Sequence, residues 1–177
     1  MILPAAMDMH VHFRDPGYTH KEDWKTGSES AACGGVTAVV DMPNTNPFTS
    51  DYSQFKEKER IAKQKSVVDF GIGINVEENL TEQDWFETVP AAFWKLYPYG
   101  ISSKDYFRLA QEVLGKTKKP LVVHCEHPDY MHNNPLEKLS DHTENRLIAE
   151  EKCLSEMPPS KYLHVACLLY TSPSPRD

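Results

Sequence analysis

Short apolar runs alternate with helical segments along this 177-residue chain, and no hairpin signal joins any two of the runs. That alternation restricts the fold more than any other feature. A strand is expected from residue 7 until Pro16-Gly17 stops it, then others over 36–42, 66–74, 91–97 and 120–126, with a sixth beginning at 162–166. Helical patterns fall between them, over 19–33, 50–65, 79–86, 102–114 and 144–157. The first helix is expected to start at Thr19, with Glu22 in the capping-box position, and to stop at Gly34-Gly35. Strands that follow one another through helices form a parallel sheet, so the class is α/β. A doubly wound open sheet and a (β/α)8 barrel both fit. In either, functional groups gather at the carboxyl ends of strands.

The polar residues follow that rule: His10, His12 and Arg14, then Asp41 and Asn44, then Lys95, then His124. The first strand, Met7-Asp8-Met9-His10-Val11-His12-Phe13-Arg14-Asp15-Pro16-Gly17, alternates polar and apolar residues at period two. Asp8, His10 and His12 are therefore expected on one side, with Arg14 in the same register, and Met9, Val11 and Phe13 on the other. Two imidazoles two residues apart converge on one point, which suits a divalent metal. The plainer reading is a half-buried strand that happens to carry two histidines.

Lys95 sits inside an apolar run, Phe93-Trp94-Lys95-Leu96-Tyr97, where a bare ammonium is costly. Three readings stay open: a lysine that snorkels to water, a Schiff-base or proton-transfer lysine, and a lysine carbamylated by CO2 whose two oxygens bridge two metals. His124, after Leu121-Val122-Val123, is either a hydrogen-bonded core histidine or a ligand. His127, His132, His142 and His20 read as surface residues, His20 being the best exception.

Composition excludes several classes. Net charge is −7 and no Lys/Arg stripe is present, which argues against a nucleic-acid partner. No apolar run approaches the roughly 20 residues of a membrane span, and the opening residues lack the charged lead of a signal peptide. Cys33, Cys125, Cys153 and Cys167 show no C-x-x-C spacing and read as reduced thiols of a cytoplasmic protein. Neither G-x-G-x-x-G after the first strand nor G-x-x-x-x-G-K-[ST] occurs, so nucleotide binding is disfavoured.

The chain resembles the metal-dependent amidohydrolases, and within them the dihydroorotases. The likeness is carried by residues 8–17, by Thr19-His20-Lys21-Glu22-Asp23, by Gly34-Gly35-Val36-Thr37 and by Asp41-Met42-Pro43-Asn44-Thr45-Asn46-Pro47. Lys95-Leu96-Tyr97 and Val123-His124-Cys125-Glu126 match more loosely. The resemblance implies a (β/α)8 barrel with two Zn2+. His10 and His12 would hold the first, carboxylated Lys95 would bridge, and His124 would hold the second. Arg14 and Asn44 would grip the carboxylate of a small-molecule substrate, a task for which the planar guanidinium is suited. The implied reaction is the reversible conversion of N-carbamoyl-L-aspartate to L-dihydroorotate in pyrimidine synthesis, through a hydroxide shared by the zincs. Allantoinases and hydantoinases, which usually lack the Arg after His-x-His, are the alternative. A non-catalytic scaffold, for instance for aspartate transcarbamoylase, is a second, and a homo-oligomer is compatible with either.

The sequence also departs from the family. Of the family's sixth-strand His-x-x-His run it has His164-Val165-Ala166-Cys167, with cysteine where the ligand is expected. Residues 167–177 continue no family pattern and read as a translated adapter tail, leaving 1–166 as a partial barrel of about six βα units. The family's eighth-strand aspartate, its general acid/base, is absent, so no residue here takes that catalytic role. The chain as written is expected to be inactive.

Overall fold

A computed structural model describes residues 4–124, 155 and 163–166. The chain divides into two compact units, Met1–Asn75 with Gln83–Lys95, and Val76–Glu82 with Leu96–Asp177.

The first unit holds four parallel strands: β1 (Ala6–Val11), β2 (Val36–Asp41), β3 (Asp69–Asn75) and β4 (Phe93–Leu96), the last reaching its boundary. β1 pairs with β2, β2 with β3 and β3 with β4, so each strand lies beside its successor. Two helices make the crossovers, α1 (Trp24–Cys33) and α2 (Tyr52–Lys65). Helix α1 packs on β2 and α2, and α2 also packs on β3. The core is built from Val39, Val40 and Met42, from Ile72 and Ile74, and from Phe93 and Trp94, closed by Trp24, Phe55 and Ala62. Trp24 is edge-on to both Phe13 and Phe70, at 5.0 and 5.4 Å between ring centres. Phe13 in turn lies so close to α1 that a Cβ on Gly27 would stand 2.5 Å from its ring, so only glycine fits there.

Within the second unit, β5 (Leu121–His124) pairs in parallel with β6 (Leu163–Ala166). Helix α3 (Ser103–Lys116) is capped by the Ser102 side chain and packs on β5, with Tyr106, Leu109, Ala110 and Val113 buried. The spacing of those four residues is the apolar stripe of an amphipathic helix.

Three local expectations are corrected. β1 ends at Val11, well before Pro16-Gly17, because Arg14 adopts a left-handed backbone (φ 59°) and the period-two alternation stops before it. Arg14 therefore does not continue the register of His10 and His12. Helix α1 starts at Trp24, capped by Asp23, whose carboxylate accepts the Thr26 amide at 2.8 Å. Asp outranks Thr as a cap, and Glu22 is drawn to the Asp23 amide and the Thr26 hydroxyl instead of closing a box with Thr19. Residues 79–86 form turns and one 3-10 turn at Leu80–Glu82, not a helix. The expected helix over 144–157 lies outside the described residues except at Ser155, as do Cys125, Cys153, Cys167 and the 167–177 tail.

Candidate metal centre

The end of β1 is held by the loop that leaves β2. Four contacts fix it in succession. The Met42 amide donates to Val11 O at 2.9 Å, and Asp41 Oδ1 accepts the Phe13 amide at 2.8 Å. Asn44 Oδ1 lies 2.8 Å from His12 Nδ1, and the Asn46 amide donates to Pro16 O at 3.1 Å. Gly17 completes the contact. Its φ is +95°, and a Cβ there would stand 2.2 Å from Asn46 O, so only glycine lets the two loops meet.

Behind this frame lies a buried ion pair. Lys58, wholly buried on α2, reaches Asp41 Oδ2 at 2.6 Å and Met42 O at 2.7 Å. Burial pushes the Lys58 ammonium below its ordinary pKa, and the Asp41 carboxylate opposes that shift. Asp41, grouped in the sequence with the strand-end functional residues, is thus absorbed in structure. Lys58 went unremarked inside a charged helix. Its signal is positional, since Phe55, Lys58 and Ala62 share the buried stripe of α2. A second pair, Lys65 with Asp15 at 2.7 Å, lies on the same side of the β1 exit, with the Asp15 carbonyl accepting the Trp24 indole N–H.

His10 and His12 do converge. Their Nε2 atoms stand 3.2 Å apart, with ring centres 5.1 Å apart. An amide oxygen only accepts, so the 2.8 Å contact to Asn44 Oδ1 places a proton on His12 Nδ1 and leaves a lone pair on Nε2. The space between the two Nε2 atoms is where a cation bound by both rings would lie. Two nitrogens 3.2 Å apart, each about 2.0–2.1 Å from one ion, subtend roughly 100–105°, near the tetrahedral angle zinc favours. The pair fits a zinc ion.

Lys95 is 1% exposed on β4, opposite Asn75 in the register, so a lysine that snorkels to water is excluded. Arg14 and Asn44 are half-buried beside the histidines in sequence and loop. His124 belongs to the second unit. It is buried, its carbonyl accepts the Tyr106 hydroxyl at 2.8 Å, and its Nε2 lies 3.3 Å from Tyr99 Oη, with Tyr97 also against the ring. Among the described residues no three His, Cys, Asp or Glu side chains gather into a metal cage. When protonated, a lysine such as Lys95 offers a metal no lone pair, whereas a free amine or a carbamate does.

A model of the amidohydrolase family matches residues 1–157. A dihydroorotase of Methanosphaera stadtmanae is 41% identical over 145 residues, 78% of this chain and 33% of that relative. A dihydroorotase of Methanothermobacter thermautotrophicus is 36% identical over 173 residues, 97% of this chain and 38% of that relative. The chain thus spans 33–38% of the length of these curated relatives. Among solved structures, the L-hydantoinase (dihydropyrimidinase) of Arthrobacter aurescens superposes with a TM-score of 0.69 at 24% identity, covering 86% of this chain and 38% of that one. A dihydroorotase of Campylobacter jejuni superposes with a TM-score of 0.59 at 20% identity, covering 93% of this chain and 53% of that one. At those identities the likeness is one of fold, and it selects an incomplete (β/α)8 barrel over the doubly wound sheet. With residues 1–157 matched by the family model, this chain belongs to the amidohydrolase family.

Proposed function

We propose that these residues are the metal-binding part of a dihydroorotase, which interconverts N-carbamoyl-L-aspartate and L-dihydroorotate. The reading rests on one observation above others: the 3.2 Å approach of His10 Nε2 and His12 Nε2, on a segment followed at once by Arg14. The names of the relatives, at 36–41% identity, support the substrate class. Hydantoinases share the fold at identities too low to assign a substrate.

In this reading His10 and His12 would hold one zinc, Lys95 once carboxylated would supply further oxygen donors, and His124 is proposed as a ligand as well. Zinc supplies an acidified water and polarises the ring carbonyl when bound. Carboxylation would begin with attack of the Lys95 amine on CO2. The new N–C bond gives a carbamate, one proton leaves the nitrogen, and the product carries one negative charge and two oxygen donors. Arg14 receives the substrate carboxylate through paired N–H donors, and the Asn44 amide nitrogen adds another. No residue of the sequence is assigned the family's acid/base aspartate, so the 177 residues alone are expected to bind metal without turnover. No helix among the described residues is long and apolar enough to cross a membrane. We extend the proposal to a cytoplasmic enzyme acting on a small molecule, self-associating or in contact with aspartate transcarbamoylase.

The decisive experiment joins residues 1–166 to the matching remainder of the Methanosphaera relative and assays dihydroorotate, hydantoin and allantoin. Turnover of dihydroorotate alone is expected, lost in Arg14→Ala. Hydantoin turnover without dihydroorotate turnover overturns the reading. In parallel, the 177-residue chain is titrated with Co2+. Saturable binding, lost in His10→Ala, is expected, and no binding at all overturns the metal assignment.

A further inference from the structure

We propose that Asn44 is a positioning residue for His12: its side-chain carbonyl selects the imidazole tautomer that turns the Nε2 lone pair toward His10. The inference deepens the metal-site reading and rests on it for its consequence, though the tautomer itself can be read without a metal.

A neutral imidazole carries its proton on one nitrogen only, and the partner of the other nitrogen decides which. His12 Nδ1 faces Asn44 Oδ1 at 2.8 Å, an oxygen that can only accept. The proton is therefore held at Nδ1, and Nε2, 3.2 Å from His10 Nε2, keeps its lone pair. With the opposite tautomer the Asn44 oxygen would face a lone pair, and a proton would occupy the metal-facing nitrogen.

Asn44 can do this because its loop is anchored on both sides. Asp41 and Met42 precede it, tied to Phe13 N and Val11 O, and Asp41 is itself clamped by Lys58. Thr45 follows it, nearly fully buried, with its amide donating to Pro43 O at 2.8 Å and its hydroxyl to Pro47 O at 2.9 Å. Asn46 then donates to Pro16 O, beyond the histidines. The amide is thus delivered to His12 by backbone bonds that flank the imidazole in sequence, the arrangement by which an outer partner orients a ligand. Its nitrogen makes no hydrogen bond among the described residues, which leaves it available as a donor to a bound carboxylate. One side chain then serves both the ligand and the substrate, through opposite ends of its amide.

The test uses the metal-free 177-residue chain labelled with 15N-histidine, whose long-range 1H–15N spectra report each ring's tautomer. His12 is expected as the Nδ1–H form in the parent and in Asn44→Asp, whose carboxylate also accepts, and to lose that preference in Asn44→Leu. Co2+ titration of the same proteins should show affinity within a few-fold of the parent for N44D and a 10–100-fold loss for N44L. An unchanged His12 tautomer in N44L overturns the inference, as does its loss in N44D. If the parent binds no Co2+, the metal-site reading falls while the spectra still decide the role of Asn44. If N44L binds Co2+ like the parent with an altered tautomer, the positioning consequence falls and the metal site stands.

Discussion

Lys58 is a residue whose removal the fold should tolerate poorly. Its Nζ neutralises Asp41, and Asp41 holds Phe13 N between His12 and Arg14. Removing one partner of a buried pair leaves the other charge uncompensated. Lys58→Met should therefore cost about 3–5 kcal/mol in urea unfolding. Adding Asp41→Asn to it should recover part of that loss, because the remaining group is then neutral and its oxygen still accepts from Phe13 N. A double variant no more stable than Lys58→Met would show that the charge is not the cause. Gly17 is a different kind of constraint. Gly17→Ala meets Asn46 O and must hold a left-handed φ as well, and a loss of at least about 2 kcal/mol in thermal melts is expected.

At the scale of elements, the helix starts divide what a sequence reader sees from what it misses. The stop of α1 at Gly34-Gly35 was legible because Gly35, at φ +83°, has the left-handed geometry that glycine supplies most readily. Its start was not, since Thr19 and Asp23 both head capping-like patterns and only the turn after Pro16 decides between them. That turn places Tyr18 N on Arg14 O and Lys21 N on Tyr18 O, which delays the helix to Asp23. The strands β2, β4 and β5 were legible as apolar runs, whereas the end of β1 was set by the backbone of Arg14, which periodicity does not encode. The His10 and His12 pair was legible by spacing. The contact of Asn44 with His12 Nδ1 spans 32 residues and no local pattern announces it. The cap itself is testable. Asp23→Ala should cost about 1 kcal/mol. The Thr26 amide holds the Asp23 carboxyl below its ordinary value of 3.8. A carboxyl so lowered binds fewer protons folded than unfolded, so its contribution is complete above that value and fades as pH falls through the folded pKa. Asp23→Asn caps without titrating, and its urea midpoint should fall less than the parent's between pH 7 and pH 3.

For the whole molecule, the order of strands was legible from alternation, and the choice between open sheet and barrel came from likeness to solved structures, because both give the same local pattern. Among the described residues β1 pairs with β2 alone. Its Met7 and Met9 are 62% and 52% exposed. A strand with one open edge and exposed apolar side chains is a template for a neighbouring chain. Concentration-dependent association by light scattering is expected, and Met9→Lys should reduce it by placing a charge on the strand. Equal scattering from the parent and the lysine variant would rule out β1 as the sticky surface.

The grip of one loop upon the next has a practical meaning for protein engineering. A designer who grafts the His10-Val11-His12 tripeptide into a foreign scaffold transfers two rings and none of the four restraints that aim them. The smallest portable cassette is a two-piece object, separated in sequence by about thirty residues and joined across Gly17 and Asn46.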